Sequence, residues 1–129
     1  MFPYIRTWQY LCADSTLRMK QKFDVIFLDE AWDFLETLDE KTKDKIIYVI
    51  DKSKYAADPE LFKKLDNDIW EFRIKYNKLN YRMLAFWDKT DNTETLVVAT
   101  HGFAKKTSKI PKSEIDKAVM IMKLYFKQK

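Results

Sequence analysis

The chain has 129 residues, 47% of them hydrophobic and 16% aromatic, so it can bury the core of one globular domain. Its single cysteine, Cys12, excludes an internal disulfide, and no apolar run approaches the ~20 residues that span a bilayer. We therefore expect a cytoplasmic protein without membrane contact. The net charge of +4 is unevenly spread, because acidic residues dominate 24–60 and lysines dominate 101–129. This asymmetry predicts a face for an anionic partner.

The N-terminal residues divide from the rest of the chain by pattern. Residues 1–22 show no firm periodicity, and we treat them as an N-terminal extension of unknown role. The domain is expected to span 23–129. It opens with the β-rich run FDVIFL from Phe23 to Leu28, which predicts a short strand.

Two helices are predicted to follow this strand. Asp29 and Glu30 place negative charge in the first turn of a helix, and apolar residues then recur at helical spacing. Asp39 is a suitable N-cap for a second helix that ends near Lys54. The pair is expected to form a helical hairpin with an acidic outer face, which serves as scaffold.

The middle of the chain alternates as strands do. After a connector at 55–68, one alternating strand is predicted at 69–76 and its return strand at 79–87, joined by a turn at Asn77-Lys78. The apolar run 96–100 predicts a central strand.

The chain is then expected to leave the sheet at His101-Gly102 and enter a basic loop. Pro111 suits the start of a last helix. Its apolar stripe broadens around 120–126, which predicts deep packing or cover by a partner.

Seven side chains on and beside this predicted sheet combine cations with one carboxylate and one imidazole. They are Glu71, Arg73, Lys75, Arg82, His101, Lys105 and Lys106. Metal-free RNA cleavage needs a base for the 2′-hydroxyl, cations for the phosphate and an acid for the leaving oxygen. Glu71 or His101 fits the base or the acid, the arginines fit the clamp, and crowded lysines have lowered pKa values.

Each of these residues also has a structural explanation. Charged residues on an exposed strand form modest cross-strand ion pairs, and a histidine before a glycine often only hydrogen-bonds at a strand end. The chain has no second histidine or thiolate cluster for a catalytic metal, and no Gly-rich loop for a nucleotide. From the residues alone, the prediction ends at a basic α/β domain that binds an anionic polymer.

Four motifs in order give a more specific indication. The run WEFRI, then YRMLAFW, then THGFAKKT, then PKSEIDKA before a final helix resembles the RelE/HigB-like toxins of bacterial toxin–antitoxin systems, and within them the phage-derived HigB-like branch. The resemblance covers about 23–129. It implies a RelE-like α+β fold, in which a small antiparallel sheet packs against an N-terminal helical hairpin, with a C-terminal helix.

The resemblance also implies an activity and its partners. The family's toxins are ribosome-dependent mRNA endonucleases that cut without a metal or other cofactor, by attack of the 2′-hydroxyl. Their partners are the ribosome, the mRNA and a cognate antitoxin, for which a helix-turn-helix protein is expected.

Matched by position, the family's features fall on particular residues of this chain. Arg82 matches the phosphate-clamping strand arginine, and Arg73 matches a basic proton-transfer or phosphate residue. Glu71 stands where some members have a lysine, which leaves the general base open. Tyr125 corresponds to a late catalytic aromatic residue. The basic end of the last strand is matched by a set of three side chains: His101, Lys105 and Lys106.

Two other functions remain compatible with the same resemblance. ParE-like toxins of the superfamily poison DNA gyrase and cut nothing, and a non-catalytic relative would retain only antitoxin binding. The cluster of cations favours RNA, because a gyrase poison has no need of a phosphate pocket.

Overall fold

The computed structural model describes residues 21–56, 58–90, 96–105 and 109–128. In chain order its elements are β1 (Asp24–Phe27), α1 (Asp29–Glu36), α2 (Glu40–Ser53), β2 (Phe62–Lys64), β3 (Trp70–Tyr76), β4 (Leu79–Asp88), β5 (Leu96–Lys105) and α3 (Lys112–Lys127). The α+β class is therefore confirmed, and the architecture is consistent with a RelE-like fold.

The five strands form one mixed sheet in the order β1-β5-β4-β3-β2. Four strands are antiparallel neighbours, but β1 pairs in parallel with β5, with Asp24 opposite Leu96. The expectation of a purely antiparallel sheet was therefore wrong. A parallel pair needs a long crossover connection, and here the intervening chain includes both α1 and α2.

The β3–β4 hairpin is the best predicted part of the fold. Asn77 and Lys78 have positive φ values of 54° and 66°, as a two-residue type I′ turn requires. The turn fixes the register, in which Arg73 lies opposite Arg82. Leu79 is 51% exposed because it lies at the tip of the hairpin.

Each face of the sheet carries its own core. Helices α1 and α2 cover one face through a cluster that includes Leu35, Ile46 and Phe72. Helix α3 covers part of the other face, where Ala118 packs with Leu84 and Phe86. The broad apolar stripe of α3 is only partly packed. Its most exposed large side chains are Met120, Leu124 and Phe126, at 64%, 51% and 37%.

Strand β5 is longer than predicted. Its pairing with β4 continues to Lys105 opposite Asn80, so the expected basic loop after His101 is wrong. Position 102 accommodates only a glycine because α1 lies directly against the strand there. A Cβ atom at that position would be 2.7 Å from Phe34 Cε2 and closer still to Cδ2.

Other predictions have mixed outcomes. Both helices expected between residues 29 and 54 are present, and β2 lies within the expected connector. That α1 and α2 form the N-terminal helical hairpin of a RelE-like fold stays a prediction. Residues 1–20, which make up most of the predicted extension, lie outside the described residues. Within the described ranges, no helix is long and apolar enough to cross a membrane.

Candidate functional site

The register of β3, β4 and β5 gathers charged side chains on one part of the sheet. Arg73 lies opposite Arg82, and Asn80 lies between Lys75 on β3 and Lys105 on β5. Because side chains alternate along a strand, these positions share one face. The face is the one that α3 covers further along, where Leu84 packs.

Glu71 and Arg82 form a buried ion pair on this face. Arg82 Nε lies 3.0 Å from Glu71 Oε1, and each side chain is only 5% exposed. The expectation of an exposed strand face is therefore wrong at Glu71. Arg73 is 30% exposed, and its Nε lies 3.9 Å from Glu71 Oε2. One carboxylate thus holds two guanidinium groups.

The hydrogen bonding of this pair is incomplete. Arg82 Nη1 donates to the carbonyl of Tyr81 at 3.0 Å. Within the described part of the chain, however, the buried atoms Arg82 Nε and Glu71 Oε1 have no hydrogen-bond partner of suitable geometry, although they are close. The two atoms are instead held by the attraction between their opposite charges at 3.0 Å.

The side chains of Arg73 and Arg82 line a cleft of about 730 Å³, which we call the cationic cleft. It lies beside the part of β3 that follows its short pairing with β2. The lining cations come from α2, β3, β4 and β5 and are Lys45, Lys52, Arg73, Lys75, Arg82 and Lys105. Glu60 is the carboxylate that lines it. The cleft is therefore built to attract an anion.

This environment changes the acidity of two of the cations. Burial lowers the pKa of Lys105 below its ordinary value, and the nearby charge of Arg82 lowers it further. Burial also lowers the pKa of Arg82, although Glu71 opposes the change. An arginine stays charged in proteins, whereas a lysine with a lowered pKa is suited to release a proton.

His101 is not brought into the cationic cleft. It is buried between β5 and α3, where its Nε2 lies 3.0 Å from Glu114 Oε1 and its Nδ1 lies 3.2 Å from Thr100 Oγ1. Burial lowers the pKa of His101 more than Glu114 raises it. The imidazole is therefore placed to attach α3 to the sheet.

Two further predicted site residues fall elsewhere. Tyr125 donates a hydrogen bond from its hydroxyl to Asp88 Oδ2 at 2.6 Å, and its ring packs on Phe86, outside the cleft lining. Lys106 lies outside the described residues. The structure thus unites Glu71, Arg73, Lys75, Arg82 and Lys105, and separates His101 and Tyr125 from them.

Residues of α2 in the cleft were missed by the sequence analysis, which treated both helices as scaffold. Lys45, Tyr48 and Lys52 line the cleft from this helix. Their spacing of three and four residues places them on one side of a helix, and this was a readable signal. The acidic balance of the wider range 24–60 hid this signal, although lysines outnumber acidic residues within α2.

The arrangement can bind a phosphate group and stabilise additional charge on it. Arginines present paired donors that match phosphate oxygens, and the two here are held on rigid strands by Glu71. Among the described residues, there is no group of three or more histidine, cysteine or acidic side chains that could hold a metal ion.

Comparison with known proteins identifies the family. No curated protein matches the sequence. A family model does match, namely that of the phage-derived protein Gp49-like (DUF891), over residues 33–123. The matched range contains the four elements whose residues line the cleft, α2, β3, β4 and β5, together with most of α3. The chain therefore belongs to the phage-derived Gp49-like family, a toxin-like family related to the RelE/ParE toxins.

Proposed function

We propose that the chain is the toxin of a toxin–antitoxin system and a metal-independent endoribonuclease of the HigB-like branch, which cuts mRNA on the ribosome in the cytoplasm. One observation carries this proposal. The buried Glu71–Arg82 pair, with Arg73 beside it, lies at a cleft whose other charged side chains are almost all cationic. Membership of a toxin-like family supports the toxin role and a cognate antitoxin as partner.

The proposed reaction uses the RNA's own nucleophile. The 2′-hydroxyl oxygen attacks the adjacent phosphorus, the bond from phosphorus to the 5′-oxygen breaks, and the products carry a 2′,3′-cyclic phosphate and a 5′-hydroxyl. Arg82 and Arg73 bind the non-bridging oxygens and stabilise the charge that develops there.

Two protons have to move in this step. The proton of the 2′-hydroxyl goes to Glu71, the carboxylate that lies beside both arginines. The leaving 5′-oxygen takes a proton from Lys105, because the lowered pKa of this lysine brings it closer to the working pH. Lys75 lines the same cleft and holds a neighbouring phosphate.

The test is cleavage of mRNA on purified ribosomes programmed with a defined codon in the A site. We expect cuts at that codon with cyclic-phosphate and 5′-hydroxyl ends, and no cut when a single 2′-deoxynucleotide stands at the cleavage position. Arg73→Gln is the matched loss variant, because this side chain is partly exposed and its replacement should leave the fold intact.

Two results would overturn the proposal. Products with 3′-hydroxyl and 5′-phosphate ends would point to a different cleavage chemistry. Intact mRNA would exclude the nuclease, and inhibition of DNA supercoiling by the same preparation would then identify a gyrase poison.

A further inference from the structure

Tyr48 of α2 is an exposed aromatic side chain that lies among the cations of the cleft. Its side chain is 47% exposed, and it lines the cationic cleft together with Arg73 and Arg82. Lys45 Nζ lies 5.7 Å from the centre of the Tyr48 ring. Exposure of a single aromatic side chain is ordinary by itself. The informative point is the placement of this ring within a cleft of cations.

The helical spacing of the neighbouring lysines adds to this point. Lys45 precedes Tyr48 by three residues and Lys52 follows it by four, so the three side chains form one row along the helix. The opposite side of α2 is buried in the core through Ile46 and Ile50. The row is therefore held on a fixed element, with the ring between two positive charges.

An aromatic ring between cations in a groove is the combination that binds single-stranded nucleic acid. The cations follow the backbone phosphates, and the ring stacks on an unpaired base. A duplex hides the faces of its bases, and a free phosphate or a protein carboxylate needs no ring. The chemistry of this row thus fits a single strand better than any of these.

We propose that Tyr48 is a stacking platform for one unpaired nucleobase, and that Lys45 and Lys52 bind the phosphates beside that base. The cleft then binds a single-stranded segment longer than the phosphate held by Arg73 and Arg82. This inference rests on the proposed function and deepens it, because it assigns to α2 a part of substrate binding. Since every base has a stacking face, the contact contributes affinity with little sequence preference.

The test compares two strands of equal charge and length by fluorescence anisotropy at low salt. One is a labelled short oligodeoxyuridine, which has no 2′-hydroxyl to react, and the other is the same backbone without bases. We expect Tyr48→Ala to weaken binding of the base-bearing strand roughly tenfold and to leave the abasic strand unchanged. Tyr48→Phe keeps the ring and should behave as wild type.

Lysine variants separate stacking from charge. Lys52→Gln should weaken both strands equally, whereas Lys41→Gln, an exposed lysine of α2 outside the cleft lining, should weaken neither. Thermal melting of each variant checks that it is folded. Equal effects of Tyr48→Ala on both strands, no effect on either, or no measurable binding by wild type would overturn the inference.

The ribosome assay keeps this test distinct from that of the proposed function. If wild type leaves mRNA intact and Tyr48→Ala still lowers the affinity for the base-bearing strand alone, the nuclease is refuted and the stacking platform is supported. If the protein cuts mRNA but binds the base-bearing and the abasic strand equally well, both as wild type and as Tyr48→Ala, only the stacking platform is refuted.

Discussion

Arg73 and Arg82 are direct cross-strand partners, so two guanidinium groups face each other on adjacent strands. Like charges in that position destabilise a sheet. Glu71 offsets the repulsion only in part, since it lies 3.0 Å from one arginine and 3.9 Å from the other. A pair of this kind weakens the fold locally, and it concentrates positive charge where a phosphate can bind.

Breaking the buried pair should cost more than removing it whole. Arg82→Ala leaves the Glu71 carboxylate buried without its closest partner, and we expect a loss of about 3–5 kcal/mol in the free energy of unfolding. Urea unfolding measures this. The double variant Glu71→Leu with Arg82→Met should recover most of the loss, because neither charge is then buried. Both proteins should fail to cut RNA. A double variant as unstable as the single one would show that the pair itself does not cause the effect.

Lys105 can be tested as a proton donor separately from its charge. Lys105→Arg keeps the positive charge but does not release a proton at working pH, so binding should persist while the cleavage rate falls by about a hundredfold or more. Single-turnover cleavage on programmed ribosomes and strand-binding anisotropy give the two values. Lys105→Gln should lower both. If Lys105→Arg cuts at the wild-type rate, the lysine acts only as a cation.

His101 should make stability depend on pH below neutrality. Burial lowers its pKa in the folded protein, so the unfolded chain binds a proton first as the pH falls through the ordinary histidine value of about 6.5. Stability is then present above that value and is lost on acidification. Glu114 and Glu30 oppose the shift, and Lys117 adds to it.

The readout is the free energy of urea unfolding at neutral and at mildly acidic pH. Wild type should lose more stability between the two conditions than His101→Gln, which removes the chain's one histidine. Because carboxylates also begin to titrate in acid, the difference between the two proteins is the quantity to compare. Equal losses would mean that His101 does not cause the dependence.

Gly102 should be intolerant of any side chain. Gly102→Ala places a methyl group against the Phe34 ring, and overpacking of this kind costs about 1–3 kcal/mol. Chemical denaturation measures the loss. Phe34→Leu in the same chain should restore part of it by making space. If the stability losses of Gly102→Ala and Phe34→Leu simply add in the double variant, contact with the Phe34 ring is not the cause of the strain.

Local patterns were sufficient for the hairpin but not for the whole sheet. Alternation and the Asn77-Lys78 turn predicted β3 and β4 correctly, because both signals lie within a few residues. The parallel pairing of β1 with β5 has no local signal, since the two strands meet only through the rest of the domain. The continuation of β5 through Gly102 depends on Phe34 of a distant helix.

The candidate site was predictable to the same degree. Arg73 and Arg82 come together because the hairpin turn fixes their register, whereas Lys105 joins them through a continuation of β5 that was not predicted. The position of His101 under α3 depends on Glu114, and the entry of Tyr48 into the cleft depends on how α2 packs. Packing between distant elements decides both positions. The sequence therefore shows that Tyr48 shares a helix face with Lys45 and Lys52, but not that this face lines the cleft.

The parallel β1–β5 pair has a consequence for how the site matures. The β3–β4 hairpin, with Arg73 and Arg82, is built from contacts between near neighbours and can form early. Lys105 arrives with β5, which needs both β4 and β1 as partners. The proposed proton donor thus joins the proposed phosphate clamp only when β5 closes the sheet.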